Sequence, residues 1–173
     1  MKKVAFALTA VLMLLAQVVR ADDTEYYTQH NLWLFKDQTV TANYRVDLLI
    51  PVNTKVTIVK ERGAKLSLRT IDGKDFTYIV QKKFTTKNLA DVKARMLATT
   101  PVDLKKFGKD AQQAIKSGEV RPGMTRNEVI VARGYPPEHA TLGFDSDTWK
   151  YWQTKWNTIV VHFDNNKVAR IED

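Results

Sequence analysis

Cysteine is absent from this chain of 173 residues. Its absence excludes disulfide bonds, thiol nucleophiles, zinc sites built on cysteine, and the lipid-modified cysteine of a bacterial lipoprotein. Stability must therefore come from packing alone. A chain of this length can form one or two small hydrophobic cores.

Side chains that carry catalysis are also scarce. No serine lies in a nucleophile elbow, no histidine pair has helical or turn spacing, and no glycine-rich phosphate loop is present. Asp145-Ser146-Asp147 is better interpreted as a solvated turn than as a cation site. We therefore expect a protein that is not an enzyme and that uses no cofactor or metal. The histidines and serines of the chain are His30, His139, His162, Ser67, Ser117 and Ser146.

The amino terminus has the pattern of a secretory signal peptide. Lys2 and Lys3 precede an apolar run over residues 4–19, and Ala21 offers a small residue at the cleavage position before Asp22. The alternative is an uncleaved membrane anchor, but the run is shorter than the ~20 residues that a spanning helix needs. We expect removal of residues 1–21, and a periplasmic or secreted protein that is neither a lipoprotein nor stably inserted in a membrane.

Net charge gives only a weak indication of the partner. The chain has 27 basic and 19 acidic residues, and three of the basic ones lie within residues 1–21, which leaves 24 against 19, or +5. These basic residues are scattered, so nucleic acid is not an expected partner. A mild positive excess in an exported protein favours contact with anionic envelope material.

Residues 22–85 have the composition of a β domain. The stretch 48–59 predicts a strand, a turn containing Pro51 and Asn53, and a second strand rich in β-branched residues. Several short strands within ~60 residues favour a small, strongly bent barrel.

A hairpin is predicted around Asp72-Gly73, and two loop lengths would give it two different registers. A two-residue loop sets Leu68 against Thr77. A three-residue loop over 72–74 instead places Leu66 opposite Val80 and Leu68 opposite Tyr78. The second register gives one continuous apolar face, and we expect it for that reason.

The run Leu49-Ile50-Pro51-Val52-Asn53-Thr54-Lys55-Val56 resembles the diverging turn of bacterial SH3-like domains. Asn53 stands where those domains usually have glycine, and asparagine tolerates the left-handed conformation. The resemblance implies an SH3-like barrel. Domains of this kind often bind peptidoglycan peptides.

Helical periodicity begins after residue 85. Asn88 is placed to cap a helix in which Leu89, Val92 and Met96 share a face, and residues 86–102 are predicted to form a helical linker that ends at Thr99-Thr100-Pro101. Asp103 is predicted to cap a second helix that ends near Gly118. The buried stripe of that second helix is expected to contain Leu104, Phe107, Ala111, Ala114 and Ile115.

A short third helix over 126–133 has both a start and a stop signal. Thr125 and Glu128 have the spacing of a capping box, and Met124 and Val129 have the spacing of a hydrophobic staple. Gly134 suits a left-handed position after the helix, and the prolines at 136 and 137 prevent its continuation.

Three strands are predicted after this helix, at residues 148–154, 158–163 and 167–172. Asn165-Asn166 suits a two-residue turn that places Phe163 opposite Val168.

Residues 103–173 resemble the small outer-membrane-assembly domain BamE, also called SmpA/OmlA. The matching motifs are Gly123-Met124-Thr125 with Val129 at the helix start, Gly134 with Pro136 at its end, Trp149-Lys150-Tyr151, and the hairpin over 161–168. The resemblance implies two helices on a three-stranded sheet, used for protein contact without catalysis. The same fold is found in β-lactamase inhibitory proteins.

Aromatic residues are dense around the first of these three strands. In a strand, Trp149 and Tyr151 share one face, and Trp152 points to the other. If the first pair is core, Trp152 and Lys150 lie on the outer face and are candidates for partner contact. The full set of candidate partner-contact residues is Trp149, Lys150, Tyr151, Trp152, Trp156 and His139. Core positions are favoured for Tyr26, Tyr27, Trp33 and Phe35.

These observations predict an α+β protein, with an SH3-like β-barrel over 22–85 and a BamE-like ααβββ domain over 103–173. The expected function is that of a non-catalytic periplasmic adaptor that binds an envelope protein. One alternative is peptidoglycan binding through the SH3-like domain. Another is enzyme inhibition of the β-lactamase-inhibitor type.

Overall fold

The computed structural model describes residues 22–173, so the predicted signal peptide lies outside the described residues. Helices and strands both occur, and the predicted α+β class is confirmed. In chain order the elements are β1 (Asp22–Thr28), β2 (Leu32–Leu34), β3 (Gln38–Val40), β4 (Leu48–Ile50), β5 (Lys55–Arg62), β6 (Lys65–Thr70), β7 (Asp75–Ile79), α1 (Leu89–Met96), β8 (Leu97–Ala98), α2 (Lys109–Ser117), α3 (Arg126–Arg133), β9 (Thr148–Trp152), β10 (Thr158–Asp164) and β11 (Lys167–Glu172).

The strands form three sheets. Six strands lie in the order β3-β7-β6-β5-β1-β8, and β2 pairs with β4 in a small ribbon. All pairs in the large sheet are antiparallel except β3 with β7. The last three strands form a separate antiparallel meander in the order β11-β10-β9.

The amino-terminal core is formed by the six-stranded sheet and the β2–β4 ribbon, and residues 86–102 contribute to it. Val92 and Met96 of α1 and Leu97 of β8 are buried there. Residues 86–102 therefore form part of the packed structure. The buried members of this core are Leu32, Leu34, Ile50, Val56, Ile58, Leu66, Leu68, Phe76, Tyr78, Val80, Val92, Met96 and Leu97.

The carboxy-terminal core lies between α2 and α3 on one side and the meander on the other. Strand alternation directs every second residue of β9 and β10 inward. Val52, from the turn between β4 and β5, also packs into this core. Its other buried members are Ala111, Ala114, Ile115, Met124, Val129, Val131, Ala132, Trp149, Tyr151, Ile159, Val161, Phe163 and Val168.

The hairpin of β6 and β7 has the predicted apolar face, but its predicted register is wrong by two residues. Leu66 lies opposite Tyr78, where Val80 was expected, and Leu68 lies opposite Phe76. A shift of two residues keeps every side chain on its face, which is why the apolar pattern could not distinguish the two registers.

The loop of this hairpin fixes the observed register. Thr70 and Lys74 close a three-residue loop, with the Thr70 amide donating to the Lys74 carbonyl at 2.9 Å. The Thr70 hydroxyl donates to the Asp72 carboxylate and accepts from the Lys74 amide. Gly73 occupies the last loop position with φ of +89°, where a three-residue hairpin requires a positive φ.

The predicted second helix is interrupted. Asp103 caps only a short 3-10 turn at Leu104–Lys106, and α2 begins at Lys109. Gly108 separates them with extended backbone, and glycine is a poor helix former because it loses the most backbone entropy. The carboxyl end is as predicted, with Gly118 in the left-handed conformation at φ of +65°.

The third helix has the predicted capping box. The Thr125 hydroxyl accepts from the Glu128 amide at 3.3 Å, and the Glu128 carboxylate accepts from the Thr125 amide at 2.6 Å. Met124 and Val129 are both buried, as a hydrophobic staple requires. The expectation of a left-handed Gly134 is wrong. Its φ of +80° is combined with ψ of −177°, an extended conformation that is essentially restricted to glycine.

The meander is close to the prediction. The first strand ends at Trp152, two residues earlier than expected, and the other two strands match within a residue. Phe163 pairs with Val168, and the predicted turn residues Asn165 and Asn166 have φ of +46° and +65°.

Asparagine side chains join the two halves of the chain. Asn31 is fully buried, and its amide nitrogen donates to the carbonyls of Ile115 at 2.6 Å and Ala132 at 3.0 Å. Its side-chain oxygen accepts from the Val52 amide at 2.7 Å. Asn31 therefore donates to carbonyls near the carboxyl ends of α2 and α3, where helical hydrogen bonding runs out.

Asn43 and Asn53 make similar links. The Asn43 amide donates to the Arg133 carbonyl at 2.7 Å and to the Asn31 carbonyl at 3.1 Å. Asn53 donates to the Val102 carbonyl and accepts from its amide, at 2.9 and 2.7 Å. We call Asn31, Asn43 and Asn53 the asparagine seam.

Candidate functional site

Three rings from distant parts of the sequence meet at the surface. The ring centroids of Phe84 and His139 are 4.8 Å apart, and those of His139 and Trp152 are 5.0 Å apart. Phe84 follows β7, His139 lies in the 3-10 turn after α3, and Trp152 ends β9. The cluster therefore spans both halves of the molecule.

Two lysines flank the three rings. The Lys83 ammonium lies 4.6 Å from the centroid of the Phe84 ring, and the Lys150 ammonium lies 5.6 Å from that of Trp152. We call Lys83, Phe84, His139, Lys150 and Trp152 the aromatic face. His139 and Lys83 are exposed, whereas the other three are half-buried. Such a face offers flat apolar surface together with positive charge.

Glu138 anchors the loops that carry this face. Its carboxylate accepts from the Thr86 amide at 2.9 Å and from the Thr86 hydroxyl at 2.8 Å, and it lies 3.4 Å from Arg95. Its amide donates to the Phe84 carbonyl. Burial opposes ionisation of Glu138, but hydrogen bonds from Thr86 and Thr85 and the charge of Arg95 outweigh it and lower the pKa. Glu138 thus holds the Phe84 and His139 loops together.

The predicted contact residues separate into three groups. Trp149 and Tyr151 are buried at 0% and 1% exposure, so they cannot contact a partner, and including them among the contact residues was wrong. Lys150, Trp152 and His139 come together in the aromatic face. Trp156 is 81% exposed in the loop between β9 and β10, apart from the stacked rings.

The aromatic residues near the start of the described chain also differ among themselves. Tyr26 packs against the amino-terminal core, and Tyr27 and Trp33 are half-buried. Phe35 is 53% exposed, so the expectation of a core position is wrong there. Phe35 directly follows β2 and forms an isolated bridge with Gln38.

The histidines do not converge. His30 is buried, and desolvation lowers its pKa, while a hydrogen bond with the Asn31 carbonyl acts in the opposite direction. His162 pairs with Glu172 at 3.1 Å on the sheet surface. Within residues 22–173, no group of three or more His, Asp or Glu side chains is placed to hold a metal ion.

Sequence reasoning missed Phe84 and Lys83. The signal was an aromatic residue in the otherwise polar stretch Lys82-Lys83-Phe84-Thr85-Thr86. An apolar ring in a polar loop is a candidate for contact. Its partners, however, lie 55 and 68 positions further along the sequence, at His139 and Trp152.

Comparisons of the chain with protein-family models, with curated proteins and with solved structures found no match. None of the helices between residues 22 and 173 has the length and apolar character that a membrane span requires.

Proposed function

We propose that this protein is a non-catalytic adaptor of the bacterial cell envelope, exported by its signal peptide, and that it binds a protein partner through the aromatic face. The proposal rests on one observation, the surface cluster of the Phe84, His139 and Trp152 rings, with Lys83 and Lys150 beside them. Aromatic side chains anchor many protein interfaces because they bury a large area at small entropic cost.

The chemistry of the face favours an acidic partner segment. Lys83 lies against the Phe84 ring and Lys150 against the Trp152 ring, and neither forms an ion pair with a residue of the described chain. A segment with an aromatic or aliphatic anchor and nearby Asp or Glu residues would match both the rings and the charges.

We propose further that the amino-terminal half is an SH3-like module. The strand order β8-β1-β5-β6-β7 supports this, since the last strand returns after a helix to lie beside the first. Asn53 supports it as well, because its φ of +66° is the left-handed conformation expected at the diverging turn.

The carboxy-terminal half is proposed to be a BamE-like module. Its two helices pack on a three-stranded meander, in the order that the resemblance implies. Export is part of the same proposal. Amino-terminal sequencing of the protein from its host should begin at Asp22, and an intact Met1 in the purified protein would count against export.

The binding proposal is tested by crosslinking in cells, with a photoreactive phenylalanine at Trp152. We expect one dominant envelope protein to be captured. The matched control is the same residue at Phe35, which is also an exposed aromatic position but lies outside the aromatic face. Identical products from both positions would contradict the proposal.

Charge reversal sharpens this test. Lys83→Glu with Lys150→Glu should abolish the Trp152 crosslink, whereas reversal of the exposed Lys60 should not. Cosedimentation with isolated cell-wall sacculi distinguishes peptidoglycan binding from the adaptor function. Saturable binding to sacculi that survives the double reversal, without a protein crosslink, would favour peptidoglycan over the adaptor.

A further inference from the structure

Arg133, the last residue of α3, has a buried charge without an acidic partner. Its side chain is among the largest that are fully buried, and the residue is 2% exposed. Nη2 donates to the Trp152 carbonyl at 3.1 Å. Nε and Nη1 have no hydrogen-bond partner among the described residues. Of the five N–H groups of this guanidinium, only one therefore has a partner among the described residues.

The surroundings stabilise this charge only weakly. The Tyr151 ring lies 5.7 Å from the guanidinium carbon, and no carboxylate of residues 22–173 lies within 4.0 Å of Arg133. Desolvation lowers the pKa of Arg133 to about 10, so the group is still charged at neutral pH. A buried charge without a partner is strongly unfavourable, and buried arginines are normally paired.

Arg133 lines a cavity of about 220 Å³, together with Arg45, Gly118, Glu119 and Gln153. The buried Gln153 side-chain oxygen also has no partner among the described residues. Glu119 is already engaged by Arg121 at 2.8 Å and lies 3.7 Å from Arg45. Asp173 lines the cavity as well but is exposed.

The cavity adjoins a larger and more open groove. Arg45, Gln153 and Asp173 line both spaces, and the groove also contains Trp33 and Trp156. The Trp33 indole N–H is buried and has no acceptor among the described residues. The unsatisfied groups at this place are thus mainly donors, and an acceptor from outside would satisfy them.

We propose that this cavity is a binding site for a small oxyanion, a carboxylate or a phosphate group, with Arg133 as its principal ligand and Arg45 at its entrance. An oxyanion supplies the acceptor oxygens and the negative charge that Arg133 lacks. The cavity that Arg133 lines has the volume for such a group, and it shares Arg45, Gln153 and Asp173 with the adjoining groove. This inference does not depend on the aromatic face.

The direct test is a titration of the purified protein with sodium acetate and, separately, with inorganic phosphate at constant ionic strength. The Arg133 side-chain Nε–Hε resonance, assigned by its loss in Arg133→Met, should shift and saturate. Saturation with acetate alone identifies a carboxylate site, and saturation with phosphate alone identifies a phosphoryl site. An unchanged resonance with both anions would overturn the proposal and leave a water-filled cavity.

Thermal unfolding gives a second, independent readout. The Tm of the wild-type protein should rise saturably with the anion that shifts the resonance. Arg133→Met should lose this rise and be at least as stable as wild type without the anion, since the buried charge is gone. Arg170→Met, at an exposed arginine, should keep the rise. Equal rises in all three proteins would show a general salt effect and overturn the proposal. If Arg133→Met does not fold, Arg133→Gln tests the same loss, because it also removes the positive charge.

Discussion

Replacement of Asn31 by alanine should destabilise the whole protein, because this one side chain serves both halves of the chain. Its three side-chain hydrogen bonds reach Val52 in the amino-terminal half and Ile115 and Ala132 in the carboxy-terminal half. The side chain is fully buried, so water cannot replace these bonds without entering the junction.

The expected magnitude follows from the groups that would be left open. The Ile115 carbonyl keeps a bond from the Gly118 amide at 3.0 Å. The Val52 amide and the Ala132 carbonyl have no other hydrogen bond within the described chain. A buried polar group without a partner costs about 1–3 kcal/mol, so the two together predict a loss of about 2–6 kcal/mol. Typical domains have only about 5–15 kcal/mol in total.

Urea unfolding, followed by tryptophan fluorescence and circular dichroism, measures this loss. Asn31→Asp tests the hydrogen bonds more directly. It keeps the size of the side chain and the acceptor for the Val52 amide, but it directs an anionic oxygen at the carbonyls of Ile115 and Ala132. It should be at least as destabilising as alanine. Asn127→Ala, at an exposed position of α3, should change the free energy of unfolding by less than about 0.5 kcal/mol. A stable Asn31→Asp protein, or a loss below about 1 kcal/mol for Asn31→Ala, would refute the reasoning.

Three further predictions concern single residues. Burial lowers the pKa of His30 below its usual value of 6.5, so below pH 6.5 the unfolded chain binds more protons than the native protein. The stability that neutral His30 contributes should therefore be complete above pH 6.5. It should fall as the pH drops below 6.5, by up to about 1.4 kcal/mol per pH unit. In urea titrations between about pH 5 and 7.5, His30→Gln should flatten this dependence and His139→Gln, at an exposed position, should not; equal slopes in both variants would contradict it. Gly134→Ala should lose about 1–3 kcal/mol, because φ is +80° and a new Cβ would lie 3.0 Å from Asn43, whereas Gly143→Ala meets no atom within 4 Å and should be nearly neutral in the same assay. Met124→Ala should lower the free energy of unfolding by about 2–5 kcal/mol, since the side chain is 4% exposed, and an unchanged melting curve would exclude the staple.

The parts of the fold that the sequence predicted well depend on neighbours within a few positions. The capping box of Thr125 and Glu128, the turn at Asn165-Asn166 and the inward alternation of Trp149 and Tyr151 are all local patterns. Local chemistry decides such features, because the competing conformations differ within the same few residues.

The wrong predictions concern choices that local pattern leaves open. Two registers of the β6–β7 hairpin have the same apolar face, and hydrogen bonds of Thr70 decide between them. Helical periodicity continues across Gly108, although the backbone there is extended. The aromatic face and the seam around Asn31 join residues far apart in sequence, and no spacing rule connects Phe84 with Trp152.

Both proposed surfaces lie at the junction of the two halves. Phe84 comes from the amino-terminal half and its ring centroid lies 6.5 Å from that of Trp152, and Arg45 lines the same cavity as Arg133. The asparagine seam supplies hydrogen bonds to the carboxyl ends of α2 and α3, so these helix ends depend on the half that precedes them. Each surface therefore exists only while the halves are packed together. A ligand that binds either surface must then stabilise the junction, because binding to the native state alone shifts the unfolding equilibrium toward the folded protein.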